Sequence, residues 1–156
     1  MSFPEVRIRP MSASDLERVV EIAASLREAP QWAAPVYRAA LDPSHAPRRI
    51  ALVAADPASD AALGFLVASV VAPEAELETI AVARQGQRRG VGARLLRSLV
   101  DALRLAQVNE LLLEVRASNQ AAVAFYRALG FHDAGRRTRY YADPEEDAAL
   151  MALRLP

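Results

Sequence analysis

The order of hydrophobic periods along the chain predicts an α/β fold, a mixed sheet with helices on both faces. Three observations carry that prediction. Seven short runs have the β-rich or alternating composition of strands, and the stretches between them repeat apolar residues at helical spacing. A composition of 53% apolar against 24% charged residues is the balance of a folded core, not of a disordered chain. The 156 residues suit one sizeable core, so a single domain over residues 1–156 is expected.

Residues 6–9 read as an opening strand. Ser14 or Asp15 can then cap a helix that carries Leu16, Val19, Val20 and Ala23 on one face and ends before Pro30. Residues 35–41 predict a second helix with Pro35 in its first turn, where proline removes no helical hydrogen bond. Pro43 and Pro47 break the chain afterwards, and the 30–47 stretch is expected to be irregular and mobile. Runs 50–55 and 63–71, joined through Asp56, Pro57, Ser59 and Asp60, predict an antiparallel hairpin. Residues 75–83 form the next strand and 84–89 a polar loop, after which Val91, Leu95, Leu96, Leu99 and Leu103 mark a strongly amphipathic helix. Residues 111–115 are a strand; the helix after it is capped by Asn119 and stopped by Gly130 in a left-handed conformation. Strands 131–141 and 148–155 close the chain around an acidic turn at 143–147.

Charge and composition set several function classes aside. Basic and acidic residues number 19 each, so no overall field draws the chain to nucleic acid or anionic lipid. No stretch reaches the roughly twenty apolar residues of a membrane span, and no basic-then-apolar segment opens the chain, so a cytoplasmic location without a membrane partner is expected. The absence of cysteine removes disulfides, thiolate metal ligands and an acyl-cysteine intermediate. With only His45 and His132 besides, no metal is expected.

Gln87, Arg88, Arg89, Gly90, Val91, Gly92 and Ala93 stand where a strand gives way to a helix. Unpaired amides and the positive end of the helix dipole converge there, which suits a pyrophosphate. Gly90 and Gly92 let the backbone approach phosphate oxygens, and Arg84, Arg88 and Arg89 add charge. A Walker loop is excluded because Ala93 and Arg94 follow the second glycine, and a dinucleotide fingerprint because Leu95 replaces the third glycine. A plain helix start with surface arginines is the other interpretation of an isolated Gly-x-Gly.

The loop Gln87-x-x-Gly90-x-Gly92 resembles the coenzyme A signature of the GNAT acetyltransferase superfamily. Leu-Glu-Val-Arg-Ala-Ser-Asn at 113–119, Ala124-Phe125-Tyr126 and Leu129-Gly130-Phe131 resemble the bacterial ribosomal-protein alanine N-acetyltransferases. The resemblance runs over about residues 76–153; the first seventy residues match only in their order of elements. It implies a mostly antiparallel central sheet of about seven strands. It further implies acetyl-coenzyme A as co-substrate and direct attack by a primary amine in a ternary complex. The implied acceptor is the N-terminal α-amine of a protein or peptide, such as a ribosomal protein. A small amine as acceptor, or a non-catalytic acyl-coenzyme A-binding role, stays open, as does monomer against homodimer.

By the same resemblance Ile80, Ala81 and Val82 would offer strand backbone to the pantetheine arm, and residues 88–93 would cradle the pyrophosphate beside Gln87. Asn119 would bond to the cofactor, act as a plain N-cap, or both. Acetyl transfer needs a base for the amine and an acid for the departing thiolate. Glu114 interrupts a Leu/Val strand, so its carboxylate must be paired, solvated or protonated. The resemblance makes it the general base working through water; a salt bridge to an arginine is the alternative. Tyr126 is the implied general acid, against simple packing, and a phenol pKa near 10 beside a thiol near 8.5 is expected to suit that transfer. Glu76 and Glu78 rival Glu114, or one of them holds the substrate's ammonium. Arg136, Arg137, Arg139, Tyr140 and Tyr141 resemble the peptide-facing wall, and strand alternation expects only one of the two tyrosines in the cleft. The family usually has Arg-Arg-x-Tyr-Tyr where this chain has Arg136-Arg137-Thr138-Arg139-Tyr140-Tyr141 and a shorter turn; a charged, solvated edge strand is the other interpretation.

Overall fold

The computed structural model describes residues 5–26, 28–87, 89–142 and 144–156. The chain order is β1 (Arg7–Pro10), α1 (Leu16–Ala24), α2 (Ala34–Leu41), β2 (Arg48–Ala55), β3 (Ala62–Val71), β4 (Glu74–Val82), α3 (Val91–Leu105), β5 (Glu110–Arg116), α4 (Gln120–Ala128), β6 (His132–Tyr141) and β7 (Glu146–Arg154). One sheet holds all seven strands in the order β1-β2-β3-β4-β5-β7-β6. Its β4–β5 pair is parallel and its other pairs are antiparallel, as expected of a mixed, mostly antiparallel sheet. Among the described residues no helix is long and apolar enough to cross a membrane.

Two apolar layers flank the sheet. On one face Leu95, Leu99 and Leu103 of α3 pack on Leu66, Leu111 and Met151; on the other, Val19 and Ile22 of α1 and Tyr37 of α2 pack around Val53, Phe65 and Val67. Covered on both sides, β3 reads as a continuous apolar run and not as an alternation. Tyr37 is wholly buried with its ring 5.2 Å from Trp32 and 5.7 Å from Phe65. Aromatic packing thus seats α2 on the sheet, in a proline-rich stretch expected to be irregular.

Asp15, one of the two expected candidates, stands at the N-cap of α1 but makes no side-chain cap bond to the helix. A 3-10 turn at Ala13–Asp15 precedes it, with Ser12 as its cap. Asp15 turns back, accepting 2.8 Å bonds from the Ser12 amide and from two Arg9 nitrogens, instead of capping forward. At the chain's other end Gly130 has φ 102°, the left-handed stop expected after α4.

The decisive irregularity lies in β4. Thr79 pairs with Val67 and Leu77 with Ala68, which leaves Glu78 as the extra residue of a β-bulge. Before the bulge Ala75 and Leu77 face the α3 layer; after it Ile80 and Val82 do, and Ala81 turns to the α1–α2 layer. Pairing of β4 with β5 covers only 74–77 and stops where the bulge begins, so the two strands part beyond it.

Candidate active site

The parted strands enclose a cleft of about 710 Å³. Its walls are residues 76–82 of β4, residues 113–116 of β5, Asn119 and Tyr126 at α4, Tyr140 and Tyr141 of β6, and Trp32 with its neighbours between α1 and α2. A second cavity of about 400 Å³ shares Ile80, Ala81, Val82, Gln87 and Tyr126 with it and adds Gly86, Gly90, Val91, Gly92, Ala93 and Phe125. Beyond Leu77 the β5-facing edge of β4 thus presents backbone to a cavity and not to a strand.

The helix start fits a diphosphate. Gly90 is the N-cap of the fifteen-residue α3, with φ 72° and open space where a Cβ would stand. The first amides of the helix therefore lack helical acceptors and face an unobstructed approach. A Cβ on Gly92 would lie 3.1 Å from the Phe125 ring, so this glycine serves close packing. Gln87 donates to the Val82 carbonyl at 3.1 Å and pins the loop to the end of β4. Arg89 lies outside the residues that line either cavity, and Arg88 falls outside the described residues. The Asn119 side chain accepts from the Ala122 amide at 3.2 Å while the residue lines the cleft, so the N-cap is realised at the cavity wall.

Glu114 and Tyr126, 12 positions apart on β5 and α4, line the same cleft. The Glu114 side chain is 16% exposed and forms an ion pair with Arg137 at 3.1 Å, the arginine pairing foreseen as its alternative fate. Tyr140 is held above the ordinary phenol value, first by a hydrogen bond to Glu114 and next by that carboxylate's charge. Tyr126 is 8% exposed, its ring 5.3 Å from Phe125 and 5.5 Å from Phe131. Burial, helped by Tyr141, pushes its phenol up to about 12. The expected ease of its proton transfer is thereby corrected: such a phenol is a weaker acid than a thiol, so it stays protonated and donates a hydrogen bond more readily than a proton.

Two further carboxylates complete the floor. Glu78, the bulged residue, meets Arg49 of β2 at 2.9 Å. Glu76 has no ion pair among the described residues, and its carboxyl is raised by loss of water, then by the charges of Glu114 and Glu78, against a lowering by Arg137. Among the described residues no group of three or more such side chains is placed to hold a metal.

Both Tyr140 and Tyr141 line the cleft, against the expectation that only one would. The reason is backbone geometry. Arg139 has φ 54° and the β6–β7 register breaks between Arg137 and Tyr141, so strict alternation is lost and the two rings meet edge to face at 5.1 Å. The edge-strand interpretation also holds, since β6 ends the sheet and is exposed along almost all its length.

Three contributors escaped the sequence. Leu26, Glu28, Ala29, Pro30 and Trp32 form one wall of the cleft, shaped by Gln31, whose amide donates to the Ala23 and Ala29 carbonyls at 2.8 and 2.9 Å. A lone tryptophan among prolines was the available signal, without a period to place it. Arg49 and Phe125 were hidden because each acts across a pairing that only the fold creates.

Residues 16–131 match the acetyltransferase (GNAT) family. The chain is 49% identical over 98 residues to a [ribosomal protein bS18]-alanine N-acetyltransferase of Salmonella typhimurium, a stretch that is 62% of this chain and 66% of that protein. It is 30% identical over 145 residues, 92% of each chain, to a putative [ribosomal protein bS18]-alanine N-acetyltransferase of Bacillus subtilis. The crystal structure of the ribosomal-protein-S18-alanine N-acetyltransferase from Escherichia coli superposes with a TM-score of 0.81 at 34% identity, covering 96% of this chain and 94% of that one. The family match spans well over half of the sequence, and the chain belongs to the GNAT family of acetyltransferases.

Proposed function

We propose that this chain, acting as one domain, is an acetyl-coenzyme A-dependent N-acetyltransferase whose acceptor is the N-terminal α-amine of a protein, such as a ribosomal protein. The observation that carries the proposal is the parting of β4 from β5, with the open helix start at Gly90 at one end, Glu114 at the other and Tyr126 lining both cavities between them. The names of the Salmonella and Bacillus relatives supply the acceptor. In this proposal the amides of residues 90–93 hold the diphosphate, the open edge at Ile80, Ala81 and Val82 holds the pantetheine arm as an added strand would, and Asn119 closes the side. When bound, acetyl-coenzyme A supplies an activated thioester.

Glu78 and Glu76 draw the acceptor's ammonium into the cleft between the Trp32 wall and the paired tyrosines Tyr140 and Tyr141. Glu114 takes a proton from that ammonium through water; an α-amine, with an ordinary pKa near 8, is within reach of a carboxylate aided this way. The freed nitrogen forms the new C–N bond as the C–S bond breaks, and Tyr126 donates its hydrogen bond to the sulfur as negative charge gathers there. The nitrogen sheds a second proton as the amide forms; that proton reaches the thiolate through water while the first leaves Glu114 to solvent, so both are placed and no covalent enzyme intermediate is required.

Incubation with acetyl-coenzyme A and short peptides, read by mass, tests the proposal. Acetylation of a free Ala N-terminus with N-blocked, lysine-containing peptides untouched is the expected result. Modification of lysine side chains or small amines alone would overturn the acceptor assignment.

A further inference from the structure

Each arginine of β6 near its turn is answered by an acid: Arg136 by Asp147 at 2.7 Å, Arg139 by Glu145 at 3.2 Å and Arg137 by Glu114 at 3.1 Å. Only the third of these partners lines the cleft. Arg137 reaches it for a simple reason. In register it faces Ala148 of β7, whose partner on the far side is Arg116 of β5, two residues from Glu114 on the same face. Ala148 is fully buried and offers only a methyl group, so the guanidinium passes over it to β5. On the way it lies 5.4 Å from the centre of the Tyr140 ring.

The surrounding charges leave Arg137 without a substitute. Glu114 is faced by Arg137, Tyr140 and Tyr141 from β6 and by Glu76 from β4, while β7 opposite contributes the apolar Leu150. Arg49 is engaged by Glu78 at 2.9 Å and Arg116 by Glu146 at 3.3 Å. Arg137 is the cation whose charge acts on both Glu114 and Glu76.

We propose that Arg137 is a positioning residue for the transfer site: the guanidinium that aims Glu114 at the acceptor amine and, from the same place, answers the charge of Glu76. The proposal rests on the base role assigned to Glu114. Without the guanidinium, Glu76 loses the charge that lowers its carboxyl against burial and the charges of Glu114 and Glu78, and it keeps a proton to higher pH. A carboxyl that carries a proton cannot draw the acceptor's ammonium beside Glu114, so the acidic limb of the rate profile must move upward. Because the side chain is 57% exposed, its loss leaves no large hole in the fold.

The experiment is a pH profile of kcat/KM for an N-terminal peptide with wild type, Arg137→Gln, Arg137→Lys and Glu114→Gln, beside the acetyl-coenzyme A Kd and the Tm of each. Arg137→Gln should shift the acidic limb up by about one pH unit, with about a tenfold loss on that limb, at near wild-type Kd and Tm; Arg137→Lys should recover most of the shift. An unmoved limb in Arg137→Gln, or a rise in KM of equal size at every pH, overturns the proposal and leaves the base assignment standing if Glu114→Gln is inactive. Full activity of Glu114→Gln removes the base assignment itself.

Discussion

Gly90 has φ 72° and empty space around its missing Cβ, whereas a Cβ on Gly92 would press on the Phe125 ring at 3.1 Å. Two glycines two positions apart are therefore required for different reasons, and substitution separates them. Gly90→Ala places a side chain in the left-handed region at a cost of about 1–2 kcal/mol, visible as a lower Tm. Gly92→Ala forces Phe125 toward the second cavity; several-fold weaker acetyl-coenzyme A binding is expected with a smaller change in Tm, and calorimetry of both variants checks the contrast. Tyr126 supplies a third case. Its phenol, pushed to about 12, is protonated throughout the neutral range, so Tyr126→Phe removes a donor and not a titrating group. A fall in kcat of about a hundredfold is expected, with the acetyl-coenzyme A Kd and the acidic limb of the profile unchanged; wild-type kcat would reduce Tyr126 to core packing.

At the scale of elements, the cleft is built by two departures from regular pairing. The Glu78 bulge ends the β4–β5 ladder and swaps which alternate residues of β4 enter the core. The break in β6 brings Tyr140 and Tyr141 to the same side. Arg139 carries the strain of the second at φ 54°, while its amide is held by Asp147 at 2.9 Å. The Arg139–Glu145 ion pair is exposed on both sides, so it adds little stability. Arg139→Gly keeps the amide bond and relieves the left-handed backbone; a gain of about 1 kcal/mol in chemical denaturation is expected with activity retained. Lower stability would mean that the side chain, not the backbone, organises the turn.

For the whole molecule, the two apolar layers meet at a sheet whose polar groups gather at one opening, and the phenols report on it. Tyr37 and Tyr126 are raised by burial, Tyr141 by burial and then Glu114, and Tyr140 first by its bond to Glu114. In the unfolded chain these phenols ionise near the ordinary value of 10, before the folded ones do. Their contribution to stability is whole below pH 10 and is lost as pH rises toward the folded values, about 12 for Tyr126. Tm measured against pH should stay level up to about 10 and fall beyond it, as tyrosinate absorbance rises; a Tm that rises there would contradict the burial of these rings. The amino-acid order alone determined the seven strands and the 35–41 and 120–128 helices to within two residues, because period, caps and prolines are local. Helix α1 stops at Ala24, well short of the Pro30 expected to bound it. The amino-acid order also marked the Gly90–Gly92 helix start and Glu114, since a glycine pair before a helix and a carboxylate inside an apolar strand are visible in one dimension; Tyr126 was singled out only by the family resemblance. Only the tertiary structure decided that Glu78 bulges and meets Arg49, that both tyrosines of β6 turn inward, that Trp32 walls the cleft and that Arg137 reaches Glu114 across Ala148. Each of these depends on register between segments far apart in the chain, and register is set by the packing of whole faces, which no local pattern contains.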